Sequence, residues 1–272
     1  MYHDSALARP NWALDSAAVV DRCVAFIGET IARTGRAGVV VGLSGGIDSA
    51  VAAALAVRAL GAERVHSFCL PHADSDPASL RDAQAVADQL GLAPEIVPIT
   101  PMVAAFLQAR PDADAVRRGN IMARVRMIVL FDASQTRRAL VLGTGNRSEW
   151  LLGYTTMHGD AACGLNPIGQ LYKTEIRLLA AHLGLPRQVL AKAPSADLWT
   201  GQADEDELGF TYRDADRALH HLVDEKLQPR QMASLGLSPA LVDRVAARLR
   251  SQAFKRNLPP VCDFGRPHPD AV

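Results

Sequence analysis

The chain of 272 residues carries 29 Lys plus Arg against 29 Asp plus Glu, so its formal net charge is zero, with 49% apolar and 21% charged residues. That is ordinary for a globular protein, and it gives no electrostatic footprint for nucleic acid or an anionic membrane. Cys23, Cys69, Cys163 and Cys262 are too widely spaced for a Cys-x-x-Cys metal site and read as free thiols of a reducing cytoplasm; neither a signal peptide nor a membrane span is expected.

Residues 14–34 read as an amphipathic helix, with Val20, Val24, Ile27 and Ile31 at helical spacing. The apolar run Val39 to Leu43 is a buried strand, and the Ala-rich stretch from Ala50 is a helix. Arg64 to Leu70 is a second strand, stopped by Pro71, and residues 77–91 form a helix closed by Gly91. Glu95 to Ile99 is a third strand, short or at an edge because of Pro98. Met102 to Arg110 is helical, Pro111 to Gly119 is a charged, mobile loop, residues 120–136 resume a helix, and Ala139 to Gly143 is a fourth strand. Alternating strands and helices imply an α/β fold, a doubly wound parallel sheet flanked by helices. Ligands of such sheets bind beyond the carboxyl ends of the strands.

The first strand runs into Ser44, Gly45, Gly46, Ile47, Asp48 and Ser49 at a helix start. Unpaired amides and the positive end of the helix dipole favour phosphate there, and glycines admit its close approach. The Walker A lysine is missing, as is a dinucleotide fingerprint. Asp48 would repel a bare anion, but it suits a phosphate that carries Mg²⁺. The loop Ser-Gly-Gly-Ile-Asp-Ser resembles the PP-loop of the ATP pyrophosphatases.

Further on the chain reads Gly143-Thr-Gly-Asn-Arg-Ser-Glu149, Gly153-Tyr-Thr-Thr156, His158-Gly-Asp160, Leu171-Tyr-Lys-Thr174, Lys192-Ala-Pro-Ser-Ala-Asp-Leu-Trp199 and Gln202 to Gly209. Together with the PP-loop this series resembles ammonia-dependent NAD synthetase, from about residue 38 to 213, with a weaker echo at 254–259. The resemblance implies an adenine nucleotide α-hydrolase-like fold across a single domain, 1–272, with a nucleotide-binding core at 37–200 and a helical C-terminal extension and extended tail at 201–272. It implies ATP-dependent amidation of deamido-NAD to NAD through an adenylated intermediate, releasing AMP and pyrophosphate. ATP, deamido-NAD and ammonia are then the small-molecule substrates, Mg²⁺ the cofactor, a homodimer built in part from helix 120–136 the assembly, and a separate glutaminase a possible ammonia source.

By the same resemblance Gly42, Leu43, Ser44, Gly45, Gly46, Ile47, Asp48, Ser49, Thr144, Lys173 and Ser195 bind ATP. Asp48 and Glu149 hold Mg²⁺. Asn120, Arg124, Asp160 and Lys255 contact the acyl substrate. Asp160, near the ammonia site, and Lys173, on phosphate, are the catalytic pair. Arg124 reads equally well as an exposed helix charge, and an Asp160–Lys173 pair could be purely structural. His158 is left out of the catalytic set as a surface loop group.

Several well-known members of the family carry Lys at Met157, an acidic residue at Gly164 and His at Phe254, positions expected on the acyl-substrate side. These departures keep open a PP-loop amide ligase acting on nicotinate mononucleotide or another carboxylate; a non-catalytic ATP-binding regulator is a second alternative, against which the joint presence of Glu149, Asp160 and Lys173 counts. Closure of segments 110–119 and 196–206 over substrate is a further expectation.

Overall fold

The computed structural model describes residues 14–199, 201–257 and 260–262. Four parallel strands, β1 (Val39–Gly42), β2 (Val65–Cys69), β3 (Glu95–Ile96) and β4 (Leu140–Val141), lie in the order β3-β2-β1-β4. Val39 pairs with Val65 on one side and Leu140 on the other, so β1 is central. The chain moves outward from β1 to β3 and then crosses back to β4, which makes the gap between β1 and β4 the topological switch point.

Alternate side chains of the strands face opposite cores. Val39, Val41, Val65 and Cys69 pack with helices α1 (Ser16–Thr34), α2 (Ile47–Leu60) and α3 (Pro77–Leu90), while Val40, Phe68 and Leu70 pack under α4 (Thr100–Gln108) and α5 (Ala115–Arg137). Ala50, Ala52, Ala53 and Ala54 are all buried, so α2 lies close on the sheet with Leu55 fully enclosed. Truncating Leu55 there would cost about 2–5 kcal/mol.

Two expectations need adjusting. The third strand is only two residues long at the edge; beyond it Val97 and Ile99 still donate to Cys69 and Pro71 carbonyls, and Pro98 between them needs no partner. The segment 111–119 is not one charged loop. Asp114 caps α5 by accepting from the Arg117 amide at 2.8 Å, and the helix runs on through Gly119. Gly119 is there for contact rather than as a breaker: a Cβ at that position would lie 2.8 Å from Leu198.

After β4 come α6 (Arg147–Leu152), α7 (Lys173–His182), α8 (Arg187–Ala191), α9 (Asp204–Leu208), α10 (Tyr212–Leu219) and α11 (Pro239–Ser251). The last two build a separate core around Leu219, Met232 and Val245, which also takes in Leu151, Leu152 and Tyr172. Apart from 260–262, the expected extended tail lies outside the described residues, as does the end of the echo at 254–259. Among the described residues no helix is long and apolar enough to cross a membrane.

Candidate active site

β1 delivers the chain to Leu43, Ser44, Gly45 and Gly46 before α2 begins at Ile47. The loop is held by its own hydroxyls. Ser49 Oγ accepts from the Ser44 amide at 3.2 Å and donates to the Gly46 carbonyl at 3.0 Å, and Ser44 Oγ accepts from the Gly46 amide at 3.2 Å. Gly45 has φ +75°, and a Cβ there would stand 2.2 Å from the Ser79 carbonyl oxygen. Only glycine fits both demands. Gly46 caps α2 without a side-chain bond, which leaves the first-turn amides for a phosphate.

The second strand end supplies the opposing wall. Asn146 begins α6 with a capping box: its side chain accepts from the Glu149 amide at 3.0 Å, and Glu149 Oε2 accepts from the Asn146 amide at 3.2 Å. Asn146 Nδ2 also donates to Asp48 at 2.9 Å, tying β4 to the PP-loop. Lys173, the first residue of α7, places its ammonium between the two carboxylates, donating to Asp48 and, at 3.1 Å, to Glu149 Oε1.

Burial pushes the Glu149 carboxyl up to about 7, against the pull of Lys173 and with added repulsion from Asp48. Burial works against the Lys173 ammonium as well, but Asp48 and Glu149 outweigh it and its pKa rises. The lysine is held there from behind. Ser148 Oγ accepts from the Lys173 amide at 2.8 Å and donates to Asp216, and Asp216 accepts from both the amide and the hydroxyl of Thr174 at 2.9 Å. Burial raises the Asp216 carboxyl to about 6 in spite of these hydrogen bonds. The Tyr212 ring lies 5.4 Å from Lys173 Nζ.

A cavity of about 480 Å³ opens along these strand ends, lined also by residues of 71–77 and 192–198. Gly42, Leu43, Ser44, Gly46, Ile47, Asp48, Ser49, Thr144, Glu149, Asp160, Lys173 and Ser195 all line it. Gly45 packs instead against the start of α3. Asp160 faces the cavity, accepting from the Thr156 amide at 2.6 Å; its protein surroundings raise its pKa, countered by that hydrogen bond and by the charge of Lys255. Asn120 stands just behind, accepting from Thr156 Oγ1 at 2.7 Å. Arg124 and Lys255 do not line the cavity. Arg124 donates to the Met157 carbonyl, and Lys255 clamps the carbonyls of Gly153 and Thr155 at 2.8 and 2.9 Å.

Met157, Gly164 and Phe254 do not line it either. Gly164 is turned onto β4, where a Cβ would meet Leu140 at 3.2 Å, and Phe254 is exposed. Reasoning from the sequence missed Arg126, Lys192 and Asp204, all of which line the cavity. Lys192 and Asp204 sit inside the motifs already singled out, but nothing local distinguishes Arg126 from its neighbours on α5.

The family model described as NAD synthase matches residues 19–259. The chain belongs to the NAD synthase family. It is 48% identical over 236 residues to the NH(3)-dependent NAD(+) synthetase of Trichlorobacter lovleyi, covering 87% of this chain and 86% of that one. The enzyme of the same name from Chlorobaculum parvum is 46% identical over 246 residues, 90% and 89% of the two chains. Two solved structures agree in fold: an NMN synthetase from Francisella tularensis (TM-score 0.81, 32% identity, 92% and 99% covered) and an NH3-dependent NAD synthetase from Campylobacter jejuni (TM-score 0.79, 35% identity, 92% and 100% covered). The family supplies what the geometry alone does not: a C–N bond-forming ligase that uses ATP.

Proposed function

We propose that this chain converts deamido-NAD, ATP and ammonia to NAD, AMP and pyrophosphate. The observation that carries the reading is the convergence of Asp48, Glu149 and Lys173 beside an uncapped helix start, in a chain that spans most of the length of the NH(3)-dependent relatives.

In the first step an oxygen of the nicotinate carboxylate attacks the α-phosphorus of ATP, and the bond to the leaving pyrophosphate breaks. The amides of Ile47 to Ser49 receive the β- and γ-phosphates, with the Ser44 hydroxyl beside them. Lys173 moves its charge toward the phosphate as the oxygens crowd in. Asp48 and Glu149 fit a divalent ion: two hard carboxylates from different strand ends already meet at one cationic point beside room for phosphate oxygens. Mg²⁺ held there would neutralise charge on the phosphates. In the second step ammonia attacks the acyl carbon, AMP leaves with the bonding pair, and Asp160 takes the proton. Asp160 lines the cavity and is exposed to solvent there, so its carboxylate is placed to accept that proton.

The measurement is AMP formation from ATP, Mg²⁺ and ammonium with deamido-NAD, with nicotinate mononucleotide, and with no acceptor. Turnover with deamido-NAD is expected; turnover with the mononucleotide alone would transfer the chain to the second substrate. That second reading is kept by the likeness to an NMN synthetase. The chain acts as a homodimer in this proposal, joined through the exposed apolar residues Phe106 of α4 and Val116, Ile128 and Phe131 of α5. Ammonia arrives free or from a separate glutaminase, in the cytoplasm.

A further inference from the structure

Arg126 stands on α5 with its guanidinium in the cavity. Its Nε donates to the Leu70 carbonyl at 3.1 Å and its Nη2 to Ser75 Oγ at 3.4 Å, both neutral acceptors. The other three of its five N–H bonds have no acceptor among the described residues. The neighbouring cavity lysines differ. Lys173 is neutralised by Asp48 and Glu149, and Lys192 by Asp82 at 3.0 Å. Arg126 makes no such ion pair among the described residues, and the carboxylates whose fields reach it are Asp197 and Asp160. A guanidinium enclosed by protein without a bound anion is costly unless an anion arrives.

Its place in the cavity says which anion. The polyphosphate end lies at the β1 loop, whereas Arg126 is fixed to the end of β2 and shares its surroundings with Asp160. It is also tied to a further segment that lines the cavity: Ser75, its acceptor, donates to the Asp197 carbonyl at 3.5 Å, and Asp197 Oδ1 accepts from the Asp76 amide at 2.9 Å. The group that must lie between the α-phosphate and the ammonia site is the acyl carboxylate.

We propose that Arg126 is the receptor for that carboxylate, gripping it with the free side of its planar fork and turning one oxygen toward the α-phosphorus. The inference rests on the reading above for the α-phosphate, for the ammonia site at Asp160 and for the nucleotide that bears the carboxylate. A nicotinamide nucleotide offers the same ring with a neutral amide, so the pair isolates the contact. Arg126 therefore sets a preference for acid over amide, which also favours release of the product.

The test is calorimetric binding of deamido-NAD and NAD, and of nicotinate and nicotinamide mononucleotides, to the wild type and to Arg126→Gln and Arg126→Lys, with ATP titrated alongside. Wild type should bind the acid of its substrate pair more tightly than the amide. Arg126→Gln should lose about 10- to 100-fold for the acid while amide and ATP affinities stay within about twofold, and Arg126→Lys should keep part of the preference. Equal loss for acid and amide would mean a structural role and would overturn the proposal, as would a wild type with no preference. Loss confined to ATP would assign Arg126 to the α-phosphate instead. Absence of AMP formation by a wild type that retains the acid preference would refute the proposed reaction and leave this contact standing.

Discussion

Replacing Lys173 by Met removes the one ammonium that Asp48 and Glu149 share while keeping the length of the side chain. The lysine side chain is 4% exposed and each carboxylate 16%, so two poorly hydrated anions are left facing each other. Breaking a buried pair in this way costs about 3–5 kcal/mol. Glu149 offsets part of it: its pKa is already about 7, and without the lysine it rises further, so near neutral pH it takes up a proton. The sign follows from linkage. A carboxyl raised in the folded state gives stability that is present at low pH and lost as pH climbs through the folded pKa, so the variant's deficit should widen from pH 6 to 9. At about 2–4 °C per kcal/mol, melting in EDTA should fall by about 6 °C or more. Mg²⁺ without ATP should then raise the variant's Tm more than the wild type's, since the cation site is no longer filled by the lysine, and AMP formation should drop about 10²- to 10³-fold. Melting curves across pH with and without Mg²⁺ decide it. A variant that melts with the wild type in EDTA and ignores Mg²⁺ would refute the shared-cation account.

Gly45→Ala should abolish ATP binding in calorimetry and lower stability by about 1–3 kcal/mol, because the methyl group would enter the Ser79 carbonyl at an unfavourable φ. Paired substitutions Ile128→Glu and Phe131→Glu, both on the exposed side of α5, should yield a folded monomer by light scattering, with a melting temperature that no longer depends on protein concentration; a persisting dimer would place the interface elsewhere. Asp216→Asn should flatten the pH dependence of stability between pH 4 and 6. In the wild type the rise of that carboxyl from 3.8 to about 6 corresponds to about 3 kcal/mol, present at pH 4 and lost as pH passes 6. Chemical denaturation at several pH values reads the difference.

The PP-loop and its flanking strand and helix were legible because every signal there is local: an apolar run, two glycines, an alanine run. The sheet followed from alternation, although its edge strand shrank to Glu95–Ile96. The start of α5 was misread because Pro111 and Gly119 look like breakers, whereas Asp114 caps the helix and Gly119 makes room for Leu198. The Lys173 bridge was out of reach of any window, since its partners lie 125 and 24 residues away. Arg124 and Arg126 show the same limit within one helix. Two residues apart, they point about 200° apart around the axis, and only the packing of α5 on the sheet decides that Arg126 faces the cavity.

The C-terminal helices act on this site as well as adjoining it. Asp216 of α10 fixes Ser148 and the first turn of α7, and these residues flank Glu149 and Lys173, so one buried carboxylate sets the spacing of an anion and a cation from separate segments. Tyr212, also on α10, lays its ring beside the same ammonium, and Asp204 of α9 receives the Ala196 amide at 3.0 Å, shaping a segment that lines the cavity. An isolated nucleotide-binding core would keep the PP-loop amides yet lose the supports of Lys173. In the proposed reaction such a fragment should bind the phosphates weakly and fail to position the charge of Lys173, so AMP formation by residues 37–200 alone, measured against the full chain, tests whether the helical extension supports that step.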